Sequence, residues 1–150
     1  MNTLTVCKYM KQIVGVDHIG VYAADRLPTH LTPSTALVVN TEPHTDSGEH
    51  WVAIYLDKST NVIEYFDSYG QPPFNYFTQF LRHNCHYKYT YNKRKLQGYE
   101  TSVCGHYCLT YLKCRADLNM SINEYLQLFD FSNAAVNDAL VQYIFASIFT

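Results

Sequence analysis

The sequence predicts an α+β fold, because it reads in order as helix, strands, helix, strand and helices. Two apolar runs, residues 50–56 and 62–67, flank the polar turn Asp57-Lys58-Ser59-Thr60-Asn61 and predict a hairpin. Residues 86–91 alternate His, Tyr, Lys, Tyr, Thr, Tyr, the period-2 pattern of a half-buried strand. From Ser102 onward, Tyr107, Cys108, Tyr111 and Leu112 recur at helical spacing.

Taken in order, residues 3–13 have helical spacing with Leu4, Cys7, Met10 and Ile13 on one side. Residues 17–33 are broken by Gly20, Pro28 and Pro33 and predict a loop with one short strand. Residues 35–40 predict a buried strand through Ala36, Leu37, Val38 and Val39, and a polar loop over 41–49 leads to the hairpin. Pro72-Pro73 suits the entry to a helix ending near Asn84, since proline fits the first helical turn. Ser102 is placed to cap the next helix, Ser121 with Glu124 forms a capping box for a short one, and Ser132 is placed to cap the last, which runs to Phe149.

Composition bounds the function classes. A chain of 150 residues reads as a single domain over 1–150, long enough to bury a core without staples. Apolar content of 47% against 16% charged residues excludes a disordered chain. A net charge of −2 gives no global attraction to nucleic acid or anionic membrane. The five cysteines, Cys7, Cys85, Cys104, Cys108 and Cys114, are odd in number and form no secretory framework, so a reducing intracellular compartment is expected. The apolar stretch at 13–16 is too short for a signal peptide, and the run 139–149 falls short of a membrane span and reads as a core helix.

Four residues carry chemistry: His50, Asp67, Gln97 and Cys104. They supply a base, a carboxylate to orient it, an amide donor and a thiol nucleophile, the requirements for thiolate attack on a carbonyl. Papain-like enzymes run Cys before His, so the His-first order marks a different lineage using the same chemistry. A turn centred on Ser59 sets His50 opposite Asp67 on one face of the hairpin. Glu64, an odd number of residues from Asp67, points to the other face. Trp51 also faces away from His50, which leaves core packing and shaping of a substrate groove both open. Cys104 in the first turn of a helix sees the positive end of the macrodipole, which favours the thiolate. Its unpaired N–H and the side-chain amide of Gln97, on a turn marked by Gly98, are candidate oxyanion donors, and Gly105 leaves room beside the sulfur.

The segments Val21-Tyr22-Ala23-Ala24-Asp25-Arg26-Leu27-Pro28, Gly48-Glu49-His50-Trp51-Val52-Ala53, Tyr65-Phe66-Asp67-Ser68-Tyr69-Gly70, Leu96-Gln97-Gly98 and Val103-Cys104-Gly105-His106-Tyr107-Cys108 together resemble the adenovirus proteinase (adenain) family, and more distantly the SUMO-deconjugating proteases of the same clan. The resemblance implies a mixed β-sheet with a central helix presenting Cys104, packed by further helices. It implies a cysteine endopeptidase with His50 as base, Asp67 as orienting acid, Gln97 in the oxyanion hole and Cys104 as nucleophile. Substrates would be viral or mobile-element precursor proteins cut after small residues, commonly glycine, in host cytoplasm, nucleus or virion. The family's activators are a peptide and DNA, and Cys85 stands roughly where its cofactor-linked cysteine does. The chain ends at Thr150, earlier than the adenoviral enzymes, so their activation by a peptide and DNA is not expected to be required here. A monomer is expected.

Other features read more plainly. Residues 87–95 interleave Tyr with Lys and Arg; at this net charge they read as a surface strand with an inward Tyr face and a solvated Lys face, ahead of a nucleic-acid track. Cys104, His106 and Cys108 lack a second pair at structural-zinc spacing, so no metal is expected. His106 lies two positions along the helix from Cys104 and points away from it. His44, in the loop before the hairpin, lacks an opposed acid in this reading. A SUMO-type or ubiquitin-type isopeptidase, an acyltransferase on the same scaffold and a non-catalytic binding module are the alternatives.

Overall fold

A computed structural model describes residues 1–45, 50–57, 59–73 and 75–150. Residues 46–49 of the expected polar loop, including Gly48 and Glu49 of the resemblance, Lys58 of the hairpin turn and Phe74 at the expected helix entry lie outside the described residues.

The elements are α1 (Thr3–Met10), β1 (His18–Ala23), a 3-10 turn (Ala24–Arg26), β2 (Thr35–Asn40), β3 (Trp51–Asp57), β4 (Val62–Phe66), α2 (Asn75–His83), β5 (Lys88–Tyr91), α3 (Cys104–Ala116), α4 (Ile122–Leu126) and α5 (Ala134–Ile148). The fold is α+β, as the element order predicts. The strands form one mixed sheet in the order β1-β2-β3-β4-β5, with β1/β2 and β4/β5 parallel and β2/β3 and β3/β4 antiparallel.

The central strands β2, β3 and β4 are buried on both faces, which is why their sequences run apolar without interruption. One face carries Ala36, Val38, Trp51, Ala53, Tyr55 and Phe66 and packs against α1, α3, α4 and α5. The other carries Leu37, Val39, Val52, Ile54, Ile63 and Tyr65 and packs against Phe77 and Phe80 of α2. Helix α3 lies in the middle of the first layer, buried on nearly every side, so its thirteen residues show no amphipathic stripe.

Several boundaries differ from the expectations for identifiable reasons. In α1 the buried residues are Val6 and Met10, with Ile13 buried just beyond its end, whereas Leu4 is 82% exposed. Ser102 does not cap α3; Val103 occupies the N-cap position without a side-chain bond, and Cys104 is the first helical residue. Asn133, not Ser132, caps α5 by accepting from the Val136 N–H, because Ser132 donates its hydroxyl to Asp130. The Ser121 cap is as expected, its Oγ accepting from the Glu124 N–H at 3.1 Å. Strand β5 is an exposed edge rather than a half-buried strand, with Tyr89 53% exposed while Tyr87 and Tyr91 pack inward. Helix α5 is a covering helix and not a core one: only Asn137, Asp138 and Val141 are buried, and Tyr143 faces solvent.

Candidate active site

The β3/β4 register pairs Ala53 with Phe66 and Asp57 with Val62. Continued past the ends of both strands, it sets His50 opposite Tyr69 and diagonal to Asp67, so the expected direct opposition of His50 and Asp67 is corrected by two positions. The reason lies in the turn: opposition of His50 and Asp67 requires a centre between positions 58 and 59, whereas the register places it one residue later, between Ser59 and Thr60. Diagonal neighbours on one face remain within reach of long side chains. His50 Nε2 therefore still meets Asp67 Oδ1 at 2.6 Å, and the His50 ring stacks on Tyr69 with centroids 4.6 Å apart.

Cys104 completes the group from the start of α3. The His50 imidazole, bonded to Asp67, lines the same cavity as the Cys104 thiol. Burial opposes a charged ring, but the interactions with Asp67 and Cys104 outweigh it and raise His50 to about 9. Burial likewise opposes the thiolate, yet His50 and the backbone N–H groups of Trp51 and Gly105 outweigh it and lower the Cys104 pKa below the ordinary thiol value. Both shifts favour the same state, a thiolate beside an imidazolium. The other two cysteines of α3 behave oppositely. Burial pushes Cys108 well up, and Cys114 up to about 11.

The acid is held through its backbone. Asn92, at the end of β5, accepts from the Asp67 N–H at 2.9 Å and donates to the Asp67 carbonyl. Asp67 Oδ1 also accepts from the Tyr69 N–H. Gly70, at φ +71°, closes this turn where a Cβ would lie 2.6 Å from the Arg94 backbone, so a side chain does not fit. Sequence reasoning missed Asn92 as a positioning residue. The signal was a lone Asn ending a strand, paired with a segment 25 residues earlier.

Gln97 is held by Ser68 and by Thr101, which lines the cavity beside Cys104. It is fully buried, its Oε1 accepting from Ser68 Oγ at 2.6 Å and its Nε2 donating to Thr101 O and Oγ1. Trp51 packs in the core, donates Nε1–H to the Met1 carbonyl and also lines the cavity beside Cys104. That cavity, about 230 Å³, is further lined by Met1, His50, Tyr69, Thr101 and Ser102. The space beside Gly105 is taken by Met1, whose side chain would lie 3.3 Å from an added Cβ. Cys85 is an exposed free thiol in the turn after α2. His44 does have an acid partner, contrary to expectation: its ring and its N–H both bond to Asp25, which the parallel β1/β2 pairing brings alongside. His106 packs edge-on against Phe145. Among the described residues, no three His, Cys, Asp or Glu side chains are grouped to hold a metal ion, and no helix is long and apolar enough to cross a membrane.

No protein family and no curated protein matches this sequence. Among solved structures, the chain is similar to the ASFV pS273R protease, at a TM-score of 0.54 and 24% identity over 74% of this chain. A selenomethionine form of that protease matches at 25% identity with the same TM-score. The fold is that of this protease. The match takes in 41% and 42% of the two chains, so this chain spans less than half the length of the protease it resembles. A looser likeness, at a TM-score of 0.40 and 13% identity over 76% of this chain and 53% of the other, is to the SUMO protease Ulp1.

Proposed function

We propose that this chain is a cysteine peptidase in which Cys104 is the nucleophile, His50 the base and later acid, and Asp67 the residue that orients His50. The observation that carries the reading is an imidazole bonded to a buried carboxylate and set in one cavity with the first-turn thiol of a helix. The fold shared with the pS273R protease supports it.

In this reading the Cys104 thiolate attacks the scissile carbonyl carbon, and the carbonyl oxygen becomes an oxyanion. The Cys104 N–H, in the first turn of α3 and without an intrahelical partner, faces that charge. Gln97 serves as second donor by exchanging its Thr101 contacts for the oxyanion. His50 then gives its proton to the leaving amine, the C–N bond breaks, and a thioester remains on Cys104 until water, deprotonated by His50, releases the acid. The crowding of Trp51, Tyr69 and Met1 around the sulfur suits a small residue such as glycine before the scissile bond. Precursor proteins of a virus or mobile element are the proposed substrates, and Cys85 is accessible to a peptide activator.

A peptide vinyl sulfone ending in glycine tests the reading. Mass mapping is expected to find the adduct on Cys104, with Cys108 and Cys114 unmodified, since their buried thiols resist ionisation. Labelling of Cys108 at the same rate as Cys104 would count against the assignment.

A further inference from the structure

Two cavities flank the His50 ring. The first holds Cys104. The second, about 440 Å³, lies beyond the histidine and is lined by Thr41, Tyr69, Gln71, Pro72 and Pro73 together with His50 and Asp67. The two share His50 and Tyr69, the stacked ring pair, as a common wall.

We infer that the second cavity receives an apolar side chain from the leaving-group half of the substrate. The inference rests on the peptidase reading above and deepens it. The acyl half stays bonded to Cys104 Sγ after the C–N bond breaks, so it occupies the first cavity. The amine nitrogen must take its proton from His50, so the chain after the scissile bond departs past the imidazole. An extended peptide advances roughly 3.3–3.6 Å per residue, which brings the first two residues beyond the bond to this cavity.

The lining selects the chemistry of that side chain. The cavity presents two proline rings and the Tyr69 ring. Its charged groups, Asp67 and the His50 imidazolium, are engaged with each other, and Asp67 also accepts from the Tyr69 N–H. Proline lacks an N–H, so the Pro72-Pro73 stretch offers no donor to a substrate backbone. Recognition there comes from burial of apolar surface, which favours Leu or Phe and disfavours Asp.

The test compares two substrate types on the full chain. Internally quenched peptides share one acyl half and carry Gly, Asp, Leu or Phe at the first two positions after the bond. A peptidyl methyl ester of the same acyl half has a leaving group too small to use the second cavity. Leu or Phe is expected to raise kcat/KM by about ten- to hundredfold over Gly, with Asp below Gly. Pro73→Ser is expected to shrink the Leu-to-Gly ratio several-fold and leave ester hydrolysis unchanged. Equal kcat/KM across the peptides with the unaltered chain, or a Pro73→Ser variant that slows ester and peptides alike, overturns the assignment. Absence of ester hydrolysis together with absence of vinyl sulfone labelling at Cys104 overturns the peptidase reading itself, and the cavity assignment falls with it.

Discussion

Glu64 and Asp67 are carboxylates three residues apart on one side of the same hairpin, and they do opposite work. Glu64 points into the α3 face of the sheet, where Arg115 Nε and Nη2 bond its two oxygens at 2.9 Å and the Tyr111 hydroxyl donates to it as well. The Arg115 guanidinium in turn lies 4.5 Å from the Tyr55 ring centroid and donates to the Met120 carbonyl. Every strong group there is matched, so the cluster locks α3 onto the sheet and reacts with nothing. Asp67 lies just past the end of β4, where its side-chain partner among the described residues is an imidazole that opens onto two cavities. The difference teaches that strand parity and distance from the strand end, not residue type, separate a carboxylate locked in a buried ion pair from one assigned to the proposed site.

The comparison breaks most sharply at His50. His50→Ala is expected to lower kcat/KM on the order of 10⁴-fold or more, with little change in thermal midpoint. Peptide hydrolysis and a melting curve on the same sample check it. Asp67→Asn comes next: a folded enzyme with turnover down by about 10³ to 10⁴, since an amide neither stabilises the imidazolium nor fixes the tautomer. Its pH profile sharpens the point. Activity should rise with pH as Cys104 ionises, below the usual thiol range, and fall as His50 loses its proton near 9. Removing the carboxylate that raises His50 should move that upper limb to lower pH.

Glu64→Ala should show the opposite signature. Arg115 would be left buried and unpaired, at a cost of about 3–5 kcal/mol in unfolding free energy, while the folded fraction keeps its kcat. Replacing the pair together, Glu64→Leu with Arg115→Met, should recover most of that loss in a urea titration. The smallest effect is expected at Gln97. Gln97→Ala should lower kcat by about 10² to 10³ with KM nearly unchanged if the amide reaches the oxyanion. A raised KM with unchanged kcat would move Gln97 from the transition state to substrate binding.

Much of this was legible because local patterns carry it. Cys104 at a helix start, the two hairpin strands and the opposite facing of Glu64 follow from periodicity and spacing alone. The pairing offset was not legible, since a shift of one residue in the turn centre moves every opposed pair by two positions. Neither were the caps: serines at 102 and 132 have the right chemistry, but the chain entering each helix sets which residue stands at the N-cap position. The pairing of His44 with Asp25 depends on β1 lying parallel beside β2, a long-range contact that no window of sequence contains.

The sequence by itself determined the α+β class, the reactive residue types and their order, because hydrophobic period and side-chain chemistry are written residue by residue. Only the tertiary structure decided that His50 reaches Asp67 along a diagonal, that Asn92 clamps the acid from a parallel edge strand, and that Gln97 spends its amide on Thr101. Each of these depends on where separate segments come to rest against one another. That placement is fixed by the packing of the whole core around α3, a collective property with no signature in any single stretch of the chain.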